Sequence, residues 1–305
     1  MPIAWLSMRR LPARRAPDNL PRMVSGPTAA VRGQGLVDAV FEDAWLDLCA
    51  RYPEGSWFRD SHLAEGKGRF HRIVRDLFDL IPPGTERPVL DVGCYNGFFC
   101  YLLHKLGYRT SGFDGIPDEV LPDRPLLLDK IGAEFFQGNL NERAPFRKCP
   151  PGRFSAVVLG GVFEIVFNHP FALLSGSREL LAPGGILVVS AINPHTLANS
   201  LRVLRGRSTM EGDAEFAKTP KVGADGTVVG YQPKQLVYRE YPLPLLVGLV
   251  EEAGFTVLRK EYFGSRPHTD QAPLVRLVKS TPTWAWMQKQ RLFGSGIHLV
   301  ARRNG

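Results

Sequence analysis

The sequence predicts an α/β chain: a doubly wound, mostly parallel sheet with helices on both faces. From Val89 onward, short apolar runs alternate with helical periodicities, the order expected of β-α-β units. The stretch PVLDVGCYNGFFCYLL, Pro88 to Leu103, joins a buried-type strand to an apolar helix through a turn with a glycine at each end. Polar groups then follow successive strands, at Asp91, Asp114 and Asn139, where doubly wound sheets bind their ligands.

The stretch around Asp91 sets the rest. Val89, Leu90 and Val92 suit a strand buried on both faces. Gly93-Cys94-Tyr95-Asn96-Gly97 turns the chain, and Phe98 to Leu103 continue as a helix. Glycines let backbone approach a ligand closely, and a helix N-terminus presents N–H groups with no intrahelical acceptor. Asp91 is placed to hold a hydroxyl or a cationic group. The dinucleotide fingerprint G-x-G-x-x-G is the competing reading, but Tyr95 stands where its middle glycine makes room for a pyrophosphate. A strand-to-helix turn with no ligand is the third.

This run resembles the first motif of the class I S-adenosylmethionine-dependent methyltransferases, an acidic residue followed by Gly-x-x-x-Gly. Further stretches match the same family in order. Arg109 to Phe113 reads as the second strand, and Asp114 ends it 23 residues beyond Asp91, the position of a ribose-binding carboxylate in nucleoside folds. Ala133 to Phe136 is the third strand, followed by Gln137-Gly138-Asn139-Leu140. The family usually has Gly-Asp-Leu there, its acid accepting from the adenine amino group. Asn139 departs from that, although its carbonyl still accepts; a loop asparagine bonding its own backbone is the alternative. Phe154 to Leu159 is the fourth strand, and Leu159 and Gly160 at its end join the implied cofactor set. Glu164 matches the acid of a Leu-Glu-His-like step beside the methyl, but Ile165 replaces the histidine. His169 and His195 lie beyond strand ends in the same part of the chain, so Glu164, His169 and His195 are the candidate catalytic groups. Leu-Ala-Pro-Gly-Gly before the strand Ile186 to Ala191, Ala253-Gly254-Phe255, and Gly296 to Arg302 as a last, antiparallel strand complete the resemblance, which implies seven strands in all.

Four segments lie outside that pattern. Residues 1–32 are rich in Arg and Pro without a sustained period and read as a basic, poorly ordered arm, with a cleaved presequence as the alternative. Residues 33–83 read as a helical extension, with helices over Val37 to Cys49 and His71 to Leu80 and an aromatic loop, Arg51 to Arg59, between them; that loop either packs or walls the cofactor or acceptor pocket. The domain proper is placed at 84–305, with an insertion at about 195–240. There an Arg-rich helix, Thr196 to Arg207, precedes a polar stretch from Ser208 to Gln235 that reads as a lid or substrate-facing loop. Near the end, Trp284 and Trp286 stand among basic residues between Leu274 and Arg291, a packing segment or a partner-docking face.

Composition narrows the class. At 305 residues, 44% hydrophobic and 22% charged, the chain suits a globular enzyme. No apolar run reaches the length of a spanning helix. The four cysteines form no C-x-x-C pair and no His cluster joins them, so neither a disulfide framework nor a metal site is expected and a cytoplasmic location fits. The net charge of +8 is uneven: residues 1–32 carry +5 and residues 257–305 carry +7, leaving −4 between them. A slightly acidic centre argues against a nucleic-acid channel across the active site.

The resemblance implies an enzyme with S-adenosylmethionine as cofactor and a small molecule or glycan as acceptor, methylated at oxygen. The readings kept beside it are an RNA methyltransferase docking through its basic ends, an NAD(P)-binding oxidoreductase, and a module that binds the cofactor without turnover.

Overall fold

The computed structural model describes residues 27–51, 64–118, 123–166, 169–206, 220–222, 228–231, 239–264 and 281–305. Helix α1 (Pro27–Arg51) and helix α2 (Ala64–Leu80) precede the sheet. Then follow β1 (Val89–Val92), α3 (Phe98–Lys105), β2 (Thr110–Asp114), α4 (Asp123–Lys130), β3 (Glu134–Gln137) and β4 (Phe154–Gly160). The second half runs α5 (Pro170–Leu180), β5 (Leu181–Ile192), α6 (Leu197–Leu204), a hairpin of β6 (Pro220–Val222) and β7 (Val228–Tyr231), α7 (Leu243–Glu252), β8 (Phe255–Phe263), α8 (Pro282–Met287) and β9 (Gly296–Arg303).

Seven strands form one sheet in the order β3-β2-β1-β4-β5-β9-β8. The first five pair in parallel, and β9, last in the chain, lies antiparallel to both β5 and β8. The doubly wound sheet and the antiparallel last strand are those the sequence implies. The strand order reverses between β1 and β4, and a crevice opens beyond the carboxyl ends at such a switch point.

Alternation along each strand divides the core between the two faces. Leu90, Val92, Val157, Leu159, Leu187 and Val189 pack on one side with residues of α5 and α7. Val89, Ala156, Val158, Ile186 and Val188 pack on the other with α1, α2 and α3, through Phe41, Trp45, Phe70, Ile73 and Phe99. The first two helices thus share the sheet's core and form one of its covering layers, so the boundary expected at residue 84 divides a single hydrophobic unit. α2 is also pinned to the far edge by charge: Asp76 accepts from the buried His298 Nε2 of β9 at 2.6 Å and from Arg259 of β8, which also reaches Asp79 at 3.1 Å.

Local differences from the sequence reading have local causes. α1 starts at Pro27, inside the segment expected to be an arm; Pro belongs at a helix's first turn, where its missing N–H is not needed. Residues 1–26 lie outside the described residues, as do residues 52–63, which take in all of the aromatic loop except Arg51, the last residue of α1. β5 takes in Leu181, which pairs with Phe154, while Ile186 pairs with Ala156; the Ala-Pro-Gly-Gly step is a bulge in the strand rather than a break before it. Within the expected insertion the described parts are α6 and the β6–β7 hairpin, and the remainder of the lid-like stretch falls outside them.

Candidate active site

The turn after β1 carries three positive φ angles in five residues: Gly93 at 73°, Tyr95 at 50° and Gly97 at 80°. Tyr95 is the one non-glycine residue with positive φ among those described, a strained conformation that its surroundings must hold. They do so through the backbone. The Gly93 and Cys94 N–H groups donate to Phe113 O at 2.7 and 3.1 Å, and the Gly97 N–H donates to Cys94 O at 2.8 Å. The Tyr95 N–H donates to Asp114 Oδ2 at 2.8 Å. Gly97 caps α3 without a side-chain hydrogen bond, so first-turn N–H groups of that helix have no intrahelical acceptor.

Asp114, at the carboxyl end of β2, receives N–H groups on both oxygens, from Tyr95 and, at 2.8 Å on Oδ1, from Ile116. An ionised carboxylate accepts about four hydrogen bonds, which leaves room for two hydroxyls. Asp91 is buried beside it, with the Cys100 thiol 3.9 Å from its Oδ2. Burial, and then the Asp114 charge, push the Asp91 carboxyl well above its usual range; burial likewise raises Asp114 against its backbone hydrogen bonds. Two buried carboxylates in this state favour a ligand that brings hydroxyl donors and positive charge. They disfavour a pyrophosphate.

Arg124 of α4, which the sequence reading missed, locks this corner. Its side chain is fully buried and donates to Ile116 O at 2.6 Å, Tyr95 O at 3.4 Å and Asp118 Oδ1 at 2.5 and 2.9 Å, with its guanidinium 4.1 Å from the Phe135 ring centroid. One planar cation thus joins the turn after β1 to the turn after β2.

The other members of the expected cofactor set divide by where their side chains go. Asn96 is buried within the turn. The Cys94 thiol faces inward to Cys100 and Leu128, and burial raises its pKa. Leu159 and Leu140 lie in the apolar core. Gly138 is a packing glycine: a Cβ there would stand 2.7 Å from the Phe113 ring. The exposed Asn139 accepts the Asn141 N–H at 2.9 Å, the local backbone bond weighed as an alternative to adenine contact. Gly160 O receives Arg69 Nη1 at 3.5 Å.

The three catalytic candidates are not equivalent. Glu164 sits on a short turn after β4 and is 2% exposed. Its Oε1 accepts the Ile192 N–H at 2.8 Å, bridging the ends of β4 and β5, while buried Oε2 has no hydrogen-bond partner among the described residues. Burial raises its pKa, with Arg69 acting against the rise. Tyr241 packs edge-on against Phe163 with centroids 4.5 Å apart, and its buried hydroxyl also lacks a partner among the described residues. His195 follows β5, its N–H bonded to Asn193 Oδ1 at 3.0 Å; burial and then Arg291 lower its pKa. His169 is exposed at the cap of α5 and is not drawn into this buried group. Tyr241 is the aromatic of an Arg-Glu-Tyr step that resembles the family's basic-acidic-aromatic opening of a helix, whereas Arg69 stands just ahead of the helix expected from His71 and nothing in its spacing marks it.

Known proteins bear on this arrangement. A model described as a methyltransferase domain matches residues 64–260. The ubiquinone biosynthesis O-methyltransferase of Cereibacter sphaeroides is 32% identical over 119 residues, 39% of this chain and 46% of that protein. That of Xanthomonas campestris pv. campestris is 30% identical over 123 residues, 40% and 49%. The matches thus span about half the length of these relatives. In fold, the chain is similar to one solved in a complex of the Haloferax volcanii Trm112 methyltransferase activator with a methyltransferase: TM-score 0.52, 15% identity, covering 86% of this chain and 97% of that one. With the domain match covering well over half of the sequence, and two buried carboxylates and a glycine turn at the switch point, the chain belongs to the methyltransferase-domain family of S-adenosylmethionine-dependent enzymes.

Proposed function

We propose that the chain methylates an oxygen of a small molecule, with Glu164 as the base that takes the acceptor's proton. The buried, unpartnered Oε2 of Glu164 beyond the end of β4 carries this reading, and the O-methyltransferase relatives support the choice of oxygen. Bound S-adenosylmethionine supplies an electrophilic methyl whose leaving group is a neutral thioether.

The chain's own residues then divide the work. Asp114 accepts the two ribose hydroxyls on its remaining lone pairs. Asp91, beside it, favours the positive end of the cofactor. The Gly93–Gly97 turn and the first turn of α3 lie along its backbone side. Glu164 keeps Oε1 on the Ile192 N–H and uses Oε2 to receive the hydroxyl proton, and its raised pKa brings it nearer neutrality, where a base works best. Alignment of acceptor and methyl in one cleft contributes several kcal/mol through proximity alone.

The test is a screen of phenols, catechols and extracted small molecules with S-adenosylmethionine labelled in its methyl group. Label in a new methyl ether supports the reading. Label confined to an amine, a carbon or RNA overturns it.

A further inference from the structure

Eleven large apolar side chains stand exposed among the described residues, and six of them belong to two adjacent segments. Four are on α6, an eight-residue helix with no buried residue: Leu197, Leu201, Val203 and Leu204. Leu197, Leu201 and Leu204 follow the i, i+4, i+7 spacing and share one stripe, with Leu204 82% exposed. The other two are Trp286, 63% exposed, and Leu292. The two segments are joined by hydrogen bonds: the Leu197 N–H donates to Leu292 O at 2.6 Å, and Asn193 Nδ2 donates to Arg291 O at 2.7 Å and Gly294 O at 2.6 Å.

Their charge is one-sided. Neither residues 195–206 nor residues 281–294 contain a single Asp or Glu, and both carry bases, with Arg205, Lys289 and Arg291 exposed. A short amphipathic helix with leucines on one face, an exposed tryptophan and leucine beside it, and basic residues without acids has the chemistry of an interfacial anchor for an anionic lipid surface. α6 begins two residues beyond His195, so such a surface would lie beside the mouth of the site.

We propose that this face, α6 with the 286–292 segment, docks the protein reversibly on an anionic membrane interface. The leucine stripe and Trp286 enter the headgroup boundary, while Arg205, Lys289 and Arg291 meet lipid phosphates. No described helix is long and apolar enough to cross a membrane, so this contact lies on the surface and does not span it. The proposal requires neither the oxygen acceptor nor the role of Glu164, and its test measures no methyl transfer.

Cosedimentation of the full chain with vesicles of phosphatidylglycerol and phosphatidylcholine, against vesicles of phosphatidylcholine alone, measures it. Binding to the anionic vesicles should be at least about tenfold tighter and should weaken as salt rises. Leu201→Glu with Leu204→Glu, both on exposed positions, should remove most of that binding and leave cofactor affinity and melting temperature unchanged. Equal binding to both vesicle types, no binding to either, or full binding by the double variant overturns the proposal. So does a dimer in sedimentation velocity that the double variant dissociates, because the stripe would then belong to a second copy of the chain.

Discussion

The two halves of the cleft are built differently. Beyond β1 and β2, the half proposed for the cofactor is held by backbone: a turn with three positive φ angles, a carboxylate bonded by two N–H groups, and one buried arginine crossing between the loops. Beyond β4 and β5, the half proposed for the acceptor presents side-chain atoms with no partner among the described residues, Glu164 Oε2, Tyr241 Oη and His195 Nδ1. Buried polar groups are normally satisfied, so a concentration of orphans marks a place where a ligand completes the bonding. One half is shaped mainly by backbone bonds and keeps acceptor capacity on Asp114; the other is shaped mainly by side chains that present open polar atoms.

If that contrast is right, damage to the cofactor half should register as lost stability and lost affinity together. Gly93→Ala should have the largest effect. Its Cβ would fall 2.4 Å from Val162 Cγ2 at a φ of 73°, and strain plus overpacking should destabilise the fold by about 2–5 kcal/mol. Gly84→Ala, at a φ of 82° with open space around it, should show only the strain, about 1–2 kcal/mol. Thermal melts of the two variants side by side read the difference, and equal losses would remove the claim of a crowded cradle.

Arg124→Met comes next. It keeps bulk but unties the two loops, and Asp118 is exposed enough to stay solvated, so cofactor affinity should fall about tenfold in calorimetry. Arg124→Lys should not restore it, because one ammonium cannot span Asp118 and two carbonyls. The smallest effect belongs to His169→Ala. From its exposed position at the α5 cap it should change turnover and affinity by less than about twofold.

The cofactor half was also the more legible in sequence, for a physical reason. Glycines at 93 and 97 and an acid at 114 are demanded by backbone geometry and strand spacing, which are local and periodic. Arg124 lay hidden in Asp-Arg-Pro-Leu-Leu, where nothing separates a buried clamp from a surface base; its role appears only when α4 folds over the loops. The Glu164 contact with Ile192 joins residues 28 apart through the ends of neighbouring strands, which no local pattern announces. α1 and α2 read as an extension because their apolar spacing cannot say what they pack on, and the sheet's face decides it. Asn139 departs from the family's acid and is found bonding its own backbone.

The division of labour between the two halves is tested most directly by comparing Asp114→Ala with Glu164→Gln, reading cofactor affinity and turnover separately across pH. Asp114→Ala should weaken S-adenosylmethionine binding about ten- to hundredfold. Glu164→Gln should leave that affinity unchanged and lower turnover about 10²–10⁴-fold. Burial raises the Glu164 pKa, so wild-type turnover should climb with pH through a limb above the ordinary carboxylate range, and the Gln variant should lack that limb. A Glu164→Gln variant that loses cofactor affinity in step with turnover, or that keeps the acid limb, would contradict the account.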